Sequence, residues 1–204
     1  MMESVEELPE AYEELARLVP LSVRTLLDLG CGTGLELEKI FARLPSVSVT
    51  GIDITKAMLD KLREKFIDKD IELIWANYLG YDFGQAKFDV AVSFETMHHL
   101  TSEDKRGLYV NVLKALKPGG KYIECDYMVD TPIEQDHWFE ESSRLRVAQG
   151  LPNGVLYHFD TPLTINNQIK LLLEAGFRKA QKKWRKNSTA IVVADTVGES
   201  QQSR

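Results

Sequence analysis

Short apolar runs alternate along this chain with segments whose apolar residues recur every three or four positions. Thr25–Leu29, Val47–Ile54, Ile71–Ala76, Phe88–Phe94 and Lys121–Tyr127 are the runs, and they read as strands. Phe88–Phe94 is almost continuously apolar, as a strand covered on both faces should be. Helical spacing appears over Val5–Leu18, where Leu8, Tyr12, Leu15, Ala16 and Val19 share a stripe ended by Pro20. It returns over Leu35–Leu44, stopped by Pro45, and over Lys56–Ile67, which Thr55 is placed to cap. Thr101-Ser102-Glu103-Asp104 is a capping-box pattern opening a helix to Leu116, ahead of a turn at Lys117-Pro118-Gly119-Gly120. Ile133–Gln149 is helical but less cleanly amphipathic, and Leu151–Thr161 is loop-like. Thr164 caps a last helix that Gly176 terminates. Phe177–Lys186 and Thr189–Asp195 follow as strands, with a short turn at Asn187-Ser188.

Strand and helix thus alternate five times, which predicts a mostly parallel α/β sheet with helices on both faces. The closing pair of strands is joined too tightly for a crossover helix and must be antiparallel. The length of 204 residues suits one domain and a self-sufficient core. Apolar residues make up 44% and charged residues 27%, which excludes a disordered or fibrous chain. No stretch approaches the roughly 18 consecutive apolar residues of a membrane span. Two cysteines, Cys31 and Cys125, are too few for a disulfide framework. The acidic start lacks a signal-peptide layout, so a cytoplasmic protein is expected. A net charge of −6 favours solubility and argues against a bulk nucleic-acid binder, while leaving room for a local basic patch.

The sharpest chemistry lies at Asp28-Leu29-Gly30-Cys31-Gly32-Thr33-Gly34, between the first strand and the next helix. Ligands of open α/β sheets bind beyond the carboxyl ends of the strands, and glycines there let the backbone approach them closely. Asp53 follows Gly30 by 23 positions and ends the second strand, where a carboxylate can accept both hydroxyls of a ribose. The dinucleotide fingerprint G-x-G-x-x-G would need Gly at 35 or 37, and both are Leu; a Gly-Lys-Ser/Thr P-loop is absent. The pattern present is G-x-G-x-G, with an acid two positions before the first Gly.

That turn, with Asp53, resembles the first motif and its follower in class I S-adenosylmethionine-dependent methyltransferases. Glu72–Tyr78, Phe88–Phe94 with Met97-His98-His99-Leu100, and Leu116–Lys121 resemble later segments of the same family. The resemblance implies a Rossmann-like seven-stranded sheet, order 3-2-1-4-5-7-6, with strand seven antiparallel. It makes residues 1–196 one domain, with 1–20 folding over the pocket, 128–163 a substrate lid and 197–204 a frayed tail. It assigns S-adenosyl-L-methionine as cofactor and S-adenosyl-L-homocysteine as product. Gly30, Cys31, Gly32 and Gly34 pass the methionine portion, Asp28 receives its amino group, and Asp53 holds the ribose. Ile54, Ala76, Asn77 and Tyr78 line the adenine, and Ser93 and Phe94 stand beside the methionine end. Asn77 departs from the usual Asp, but its amide oxygen can accept the same bond.

The expected reaction is methyl transfer to an oxygen, nitrogen or carbon nucleophile of a small molecule. His98 is the candidate general base, since imidazole titrates near neutrality. Tyr12, Tyr127, His137 and Trp138 are candidates for the substrate side. His98 and His99 are not expected to form a metal pair, because adjacent helical positions face different ways. Six basic residues fall within Arg178–Lys186, a run that reads as a solvated edge strand. Two rival readings stand beside this one. The C-terminal part is loosely similar to bacterial enzymes that modify the wobble uridine of tRNA with a carboxylated cofactor. A non-catalytic module that binds the cofactor or its product is the other. The sequence sets no oligomeric state.

Overall fold

The computed structural model of the chain describes residues 8–152 and 159–198. Helix α1 (Leu8–Leu18) leads into β1 (Thr25–Leu29), α2 (Leu35–Arg43), β2 (Ser48–Asp53), α3 (Lys56–Lys65) and β3 (Ile71–Trp75). Then come β4 (Phe88–Phe94), a 3-10 turn (Met97–His99), α4 (Ser102–Ala115) and β5 (Leu116–Tyr127). Helices α5 (Pro132–Ala148) and α6 (Ile165–Glu174) precede β6 (Lys179–Lys186) and β7 (Thr189–Asp195). The strands form one sheet in the order β3-β2-β1-β4-β5-β7-β6, as expected. Strands β1 to β5 pair in parallel, while β7 runs antiparallel to both β5 and β6. The first turn of the helix expected from Val5, and the tail from 199, lie outside the described residues.

Alternation along the strands sorts the apolar residues into two cores. Leu26, Val90, Val92, Ile123, Cys125, Ile191 and Val193 face α1, α2 and α3 on one side of the sheet. Leu27, Leu29, Ala91, Tyr122, Ala190, Val192 and Ala194 face α4 and α6 on the other. Asp28 lies between Leu27 and Leu29, so the same period turns it to the α2 side.

Three local expectations are corrected. Thr55 precedes α3 but makes no side-chain cap; Met58 N–H, within reach of such a cap, donates instead to the Thr55 carbonyl (3.0 Å), and Asp53 holds Thr55 itself, as described below. Strand β5 begins at Leu116 rather than Lys121, because the Lys117–Gly120 turn is absorbed into it as a bulge opposite Phe88 and Val90. The chain just past β7 is not frayed. Thr196 N–H donates to Gly120 O (3.0 Å) and Gly119 N–H to Val197 O (3.0 Å). By contrast, Thr101 and Thr164 cap their helices as their positions predicted, accepting from Asp104 and Asn167 N–H. The basic run is indeed an edge strand, and Arg185 and Lys186 are paired with Asp130 and Glu10 (both 2.7 Å).

A side chain at Gly120 has nowhere to go: a Cβ there would stand 2.8 Å from Lys117 O and 3.0 Å from Asp89 O, both backbone atoms. Gly120→Ala is therefore expected to cost about 1–3 kcal/mol, the usual range for overpacking. Urea denaturation would read this as a lower midpoint at unchanged slope. A cavity of about 370 Å³ beside this turn lies at the amino ends of the strands, away from the glycine turn. No described helix is long and apolar enough to cross a membrane.

Candidate active site

The segment between β1 and α2 turns on three glycines with positive φ: Gly30 (70°), Gly32 (48°) and Gly34 (68°). A Cβ on Gly30 would meet Thr96 Oγ1 at 2.6 Å. A Cβ on Gly32 would meet no clash, only ordinary contact with Met58 Sδ at 3.8 Å and Gly30 O at 3.9 Å. Gly30 and Cys31 N–H both donate to Ile52 O (2.8 and 3.2 Å), which ties the turn to the end of β2. Cys31 offers the pocket only backbone. Its sulfur packs beneath the turn, where a Cβ at Gly51 would stand 2.9 Å from it. Gly34 opens α2 without a side-chain cap, leaving that helix's first N–H groups and dipole facing the same space.

Asp28 is fully buried, with the buried Glu36 carboxyl against it, and no N–H reaches either of its oxygens. Burial, then the nearby Glu36 carboxyl, pushes its pKa well above the usual carboxylate range. Glu36, in the first turn of α2, is itself buried and raised by that burial. Native buried carboxylates seldom stay unsatisfied. Here the Asp28–Glu36 carboxyl pair keeps acceptor capacity that a cation could meet. The ammonium of a methionine moiety is such a cation, and the side-chain-free turn at Gly30, Gly32 and Gly34 lets the chain that carries it pass close to the backbone. The residues present thus fit S-adenosylmethionine.

Asp53 is also buried and has two structural duties that its place in the sequence did not reveal. Its carboxylate oxygens accept from Gly32 N–H (3.0 Å) and Thr55 N–H (2.7 Å). A carboxylate has about four lone-pair sites, so both oxygens keep capacity for ribose hydroxyls. Asp53→Ala is expected to weaken S-adenosylhomocysteine binding about 10–100-fold, the worth of charge-assisted bonds of about 1.5–3 kcal/mol. It should also lower the melting temperature, since two backbone N–H groups lose their acceptor. Calorimetry and thermal melting read the two effects separately.

The other cofactor-side candidates fall into two groups. Ile54 and Trp75 are exposed side by side, with Trp75 Nε1–H donating to Ile54 O (3.0 Å). Ala76 N–H donates to Asp53 O (3.1 Å), and Asn77 Oδ1 already accepts Leu79 N–H (2.9 Å) in a local turn. These residues form a rim beside Asp53. Tyr78, Ser93 and Phe94 lie deeper. The Tyr78 hydroxyl meets Thr96 Oγ1 (3.0 Å), and the Ser93 hydroxyl meets the Tyr122 hydroxyl (2.7 Å). Phe94 stacks on half-buried Tyr12 of α1 at 4.2 Å, which fastens that helix over the end of β4.

The carboxyl ends of β4 and β5 bring together the acceptor-side residues. Glu95 follows β4 with φ of 49°, a strained value for a residue with a side chain. Next comes the 3-10 turn, which buries His98 and points its Nδ1 at Asp126 Oδ1 of β5, 2.5 Å away. Burial alone would lower the pKa of His98, but Asp126, Glu95 and Asp160 together raise it. Burial and the Asp126 charge lift Glu95 to about 7. Tyr127 lies edge-on to His98 (6.0 Å between centroids) and to Trp138 of α5 (6.2 Å). His137 is exposed and edge-on to Trp138. The loop after α5, part of the expected lid, returns at Phe159 and Asp160; its residues 153–158 lie outside the description. Phe159 and Asp160 join Trp138, Glu141, Ser142 and Leu145 around a cavity of about 160 Å³. The helical-spacing argument that kept His98 and His99 apart does not hold here. On a 3-10 turn their ring centroids are 4.0 Å apart.

Residues 26–120 match a family model described as a methyltransferase domain. The O-methyltransferase cnsE of Penicillium expansum is 27% identical over 79% of this chain and 55% of its own length. The O-methyltransferase resE of Aspergillus sclerotiorum is 29% identical over 80% and 58%. The chain thus spans little more than half the length of these relatives. Among solved structures, an O-methyltransferase family protein from Burkholderia thailandensis superposes with a TM-score of 0.74 at 16% identity, covering 95% of this chain and 57% of that one. The sheet order, the glycine turn and the domain match place the chain among Rossmann-like nucleotide-binding folds of the methyltransferase type. Residues 26–120, just under half of the chain, are thus similar to a methyltransferase domain.

Proposed function

We propose that this chain transfers a methyl group from S-adenosylmethionine to a hydroxyl oxygen of a small organic acceptor. One observation carries the reading: a buried imidazole, His98, is held through Nδ1 by Asp126 at the same sheet end as the glycine turn and the buried Asp28 carboxyl. The bound cofactor supplies a methyl group already activated on a positively charged sulfur. The chain's own residues bind, orient and handle one proton. Gly30, Gly32 and Gly34 line the methionine portion with bare backbone, and Asp28 accepts its ammonium. Asp53 accepts the ribose hydroxyls while keeping the turn in place. Ile54, Ala76 and Asn77 flank the adenine, and exposed Trp75 extends that wall.

His98 takes the acceptor's proton at Nε2. Asp126 fixes the ring so that Nδ1 carries the proton and Nε2 is the basic atom, then stabilises the imidazolium that forms. Tyr127 edge-on to Trp138, with Phe159 lining the same cavity as Trp138, gives an aromatic corner suited to an aromatic acceptor. Tyr12 closes the pocket from α1. Two relatives carrying O-methyltransferase in their names support oxygen as the nucleophile. The buried thiols Cys31 and Cys125 are unbridged, which suits a reducing, cytoplasmic setting. The test is release of S-adenosylhomocysteine by the purified chain across a panel of phenols, alcohols and amines. Methylation of a phenolic or alcoholic oxygen is expected. Turnover confined to amines would overturn the assignment of oxygen.

A further inference from the structure

Three side chains beside the acceptor pocket converge in a way the methyl-transfer reading does not use. Ligand atoms of His98, His99 and Asp160 lie within 4.8 Å of one another. His99 Nδ1 is 3.3 Å and His98 Nε2 3.9 Å from Asp160 Oδ1. Ligands about 2.0–2.2 Å from a tetrahedral metal stand about 3.3–3.5 Å apart, close to the two distances to Asp160, so small side-chain rotations would seat an ion. We propose that His98, His99 and Asp160 bind one divalent transition-metal ion, and that its occupation takes His98 Nε2 out of use as a base.

The arrangement is built rather than incidental. Both imidazoles stand on the 3-10 turn closed by Leu100 N–H to Met97 O (3.0 Å), and their side chains fold together so that the rings lie 4.0 Å apart. Asp160 comes from a segment far along the chain, and its neighbour pins it to that same turn. Thr161 N–H donates to His98 O (2.6 Å), and its hydroxyl reaches both His98 O (3.1 Å) and Leu100 O (2.8 Å). Asp126 supplies the outer carboxylate that histidine ligands usually have, fixing Nδ1–H and leaving Nε2 for the metal. Glu95 adds a further carboxylate 3.9 Å from His98 Nδ1. Two nitrogens and one oxygen favour zinc, cobalt or nickel over magnesium or calcium. Among the described residues the set has three protein ligands, one fewer than a tetrahedral ion takes. The side chains of His99 and Asp160 keep 23% and 37% of their exposure, so an ion has a path in.

The blocking part of this proposal rests on the reading of His98 as base; the binding part does not. Zinc titrated into the whole chain, followed by calorimetry, is expected to fill one site per chain. Cobalt should give visible d–d bands far more intense than those of the aqueous ion, because a four-coordinate site has no centre of symmetry. His99→Ala and Asp160→Ala should each weaken binding at least about tenfold. In methyl-transfer assays, zinc should inhibit the native chain, a chelator should reverse it, and His99→Ala should keep its basal rate while losing the inhibition. Absent cobalt absorption, or zinc affinity unchanged in both variants, would overturn the site. Zinc that raises turnover, or that inhibits His99→Ala equally, would overturn the block. Because the titration needs no turnover, a chain without methyl-transfer activity would sink the functional reading and leave the metal site to be decided on its own.

Discussion

Replacing His98 by glutamine is expected to slow methyl transfer by about 10²–10⁴-fold, the range for a lost general base. Binding of S-adenosylhomocysteine should stay close to that of the native chain, because no cofactor contact runs through the ring. The fold should survive as well. Thr161 is clamped to the backbone carbonyl of His98 rather than to its side chain, so that tie persists in the variant. The substituted amide would keep a polar atom near Asp126 yet lacks a basic nitrogen. A structural histidine would therefore be largely rescued by glutamine, whereas a base would not. Single-turnover rates, with cofactor affinity measured on the same sample, separate the two.

Asp28→Asn should pull stability and binding in opposite directions. Burial and Glu36 hold the Asp28 pKa above its ordinary value. A carboxyl whose pKa is higher in the folded chain than in the unfolded one binds its proton more tightly when folded. Folding stability then falls as pH rises from the unfolded value towards the folded one, and at neutral pH the native chain bears that cost. The amide cannot ionise and removes it, so the variant should melt at a higher temperature at neutral pH. At low pH, where Asp28 is protonated in both states, the advantage should vanish. The same substitution deletes the charge that the cofactor's ammonium would meet. Affinity should drop about 10–100-fold, as for other charge-assisted bonds of about 1.5–3 kcal/mol. A variant both more stable and weaker in binding marks a group kept for its ligand rather than for the fold. A less stable variant with native affinity would make Asp28 structural.

The sheet was readable because its signals are local. Strand alternation sorted Leu26 and Leu27 to opposite cores, and the close spacing of Phe177–Lys186 and Thr189–Asp195 required an antiparallel pair. The glycine turn was equally legible, since only Gly populates φ near 70° without strain. Local reading failed where a neighbour from elsewhere took over. Thr55 looked like a cap, but Asp53 reached across to Gly32 and Thr55 and fixed the entry to α3. Residues after Asp195 looked loose, until Thr196 and Val197 found the Gly119–Gly120 backbone. Glu36 reads as an ordinary first-turn acid of a helix, and nothing near it announces Asp28 underneath. Asp126, Asp160 and Thr96 act through side chains 28, 62 and 66 positions away, at His98 and Gly30, beyond any periodic signal. Helix α5 did carry a missed local cue. Thr131 accepts from Glu134 N–H while Glu134 reaches back to Asp130 N–H, with Pro132 at the first position.

All of this turns on whether the cleft between Gly30–Gly34 and Asp53 accepts an adenosyl sulfonium or thioether. Titrating S-adenosylhomocysteine into the purified native chain in a calorimeter asks that directly. One saturable site per chain, weakened in Asp28→Asn and Asp53→Ala but not in His98→Gln, is the expected result. No heat and no thermal shift at millimolar ligand, from protein that is otherwise folded, would contradict it.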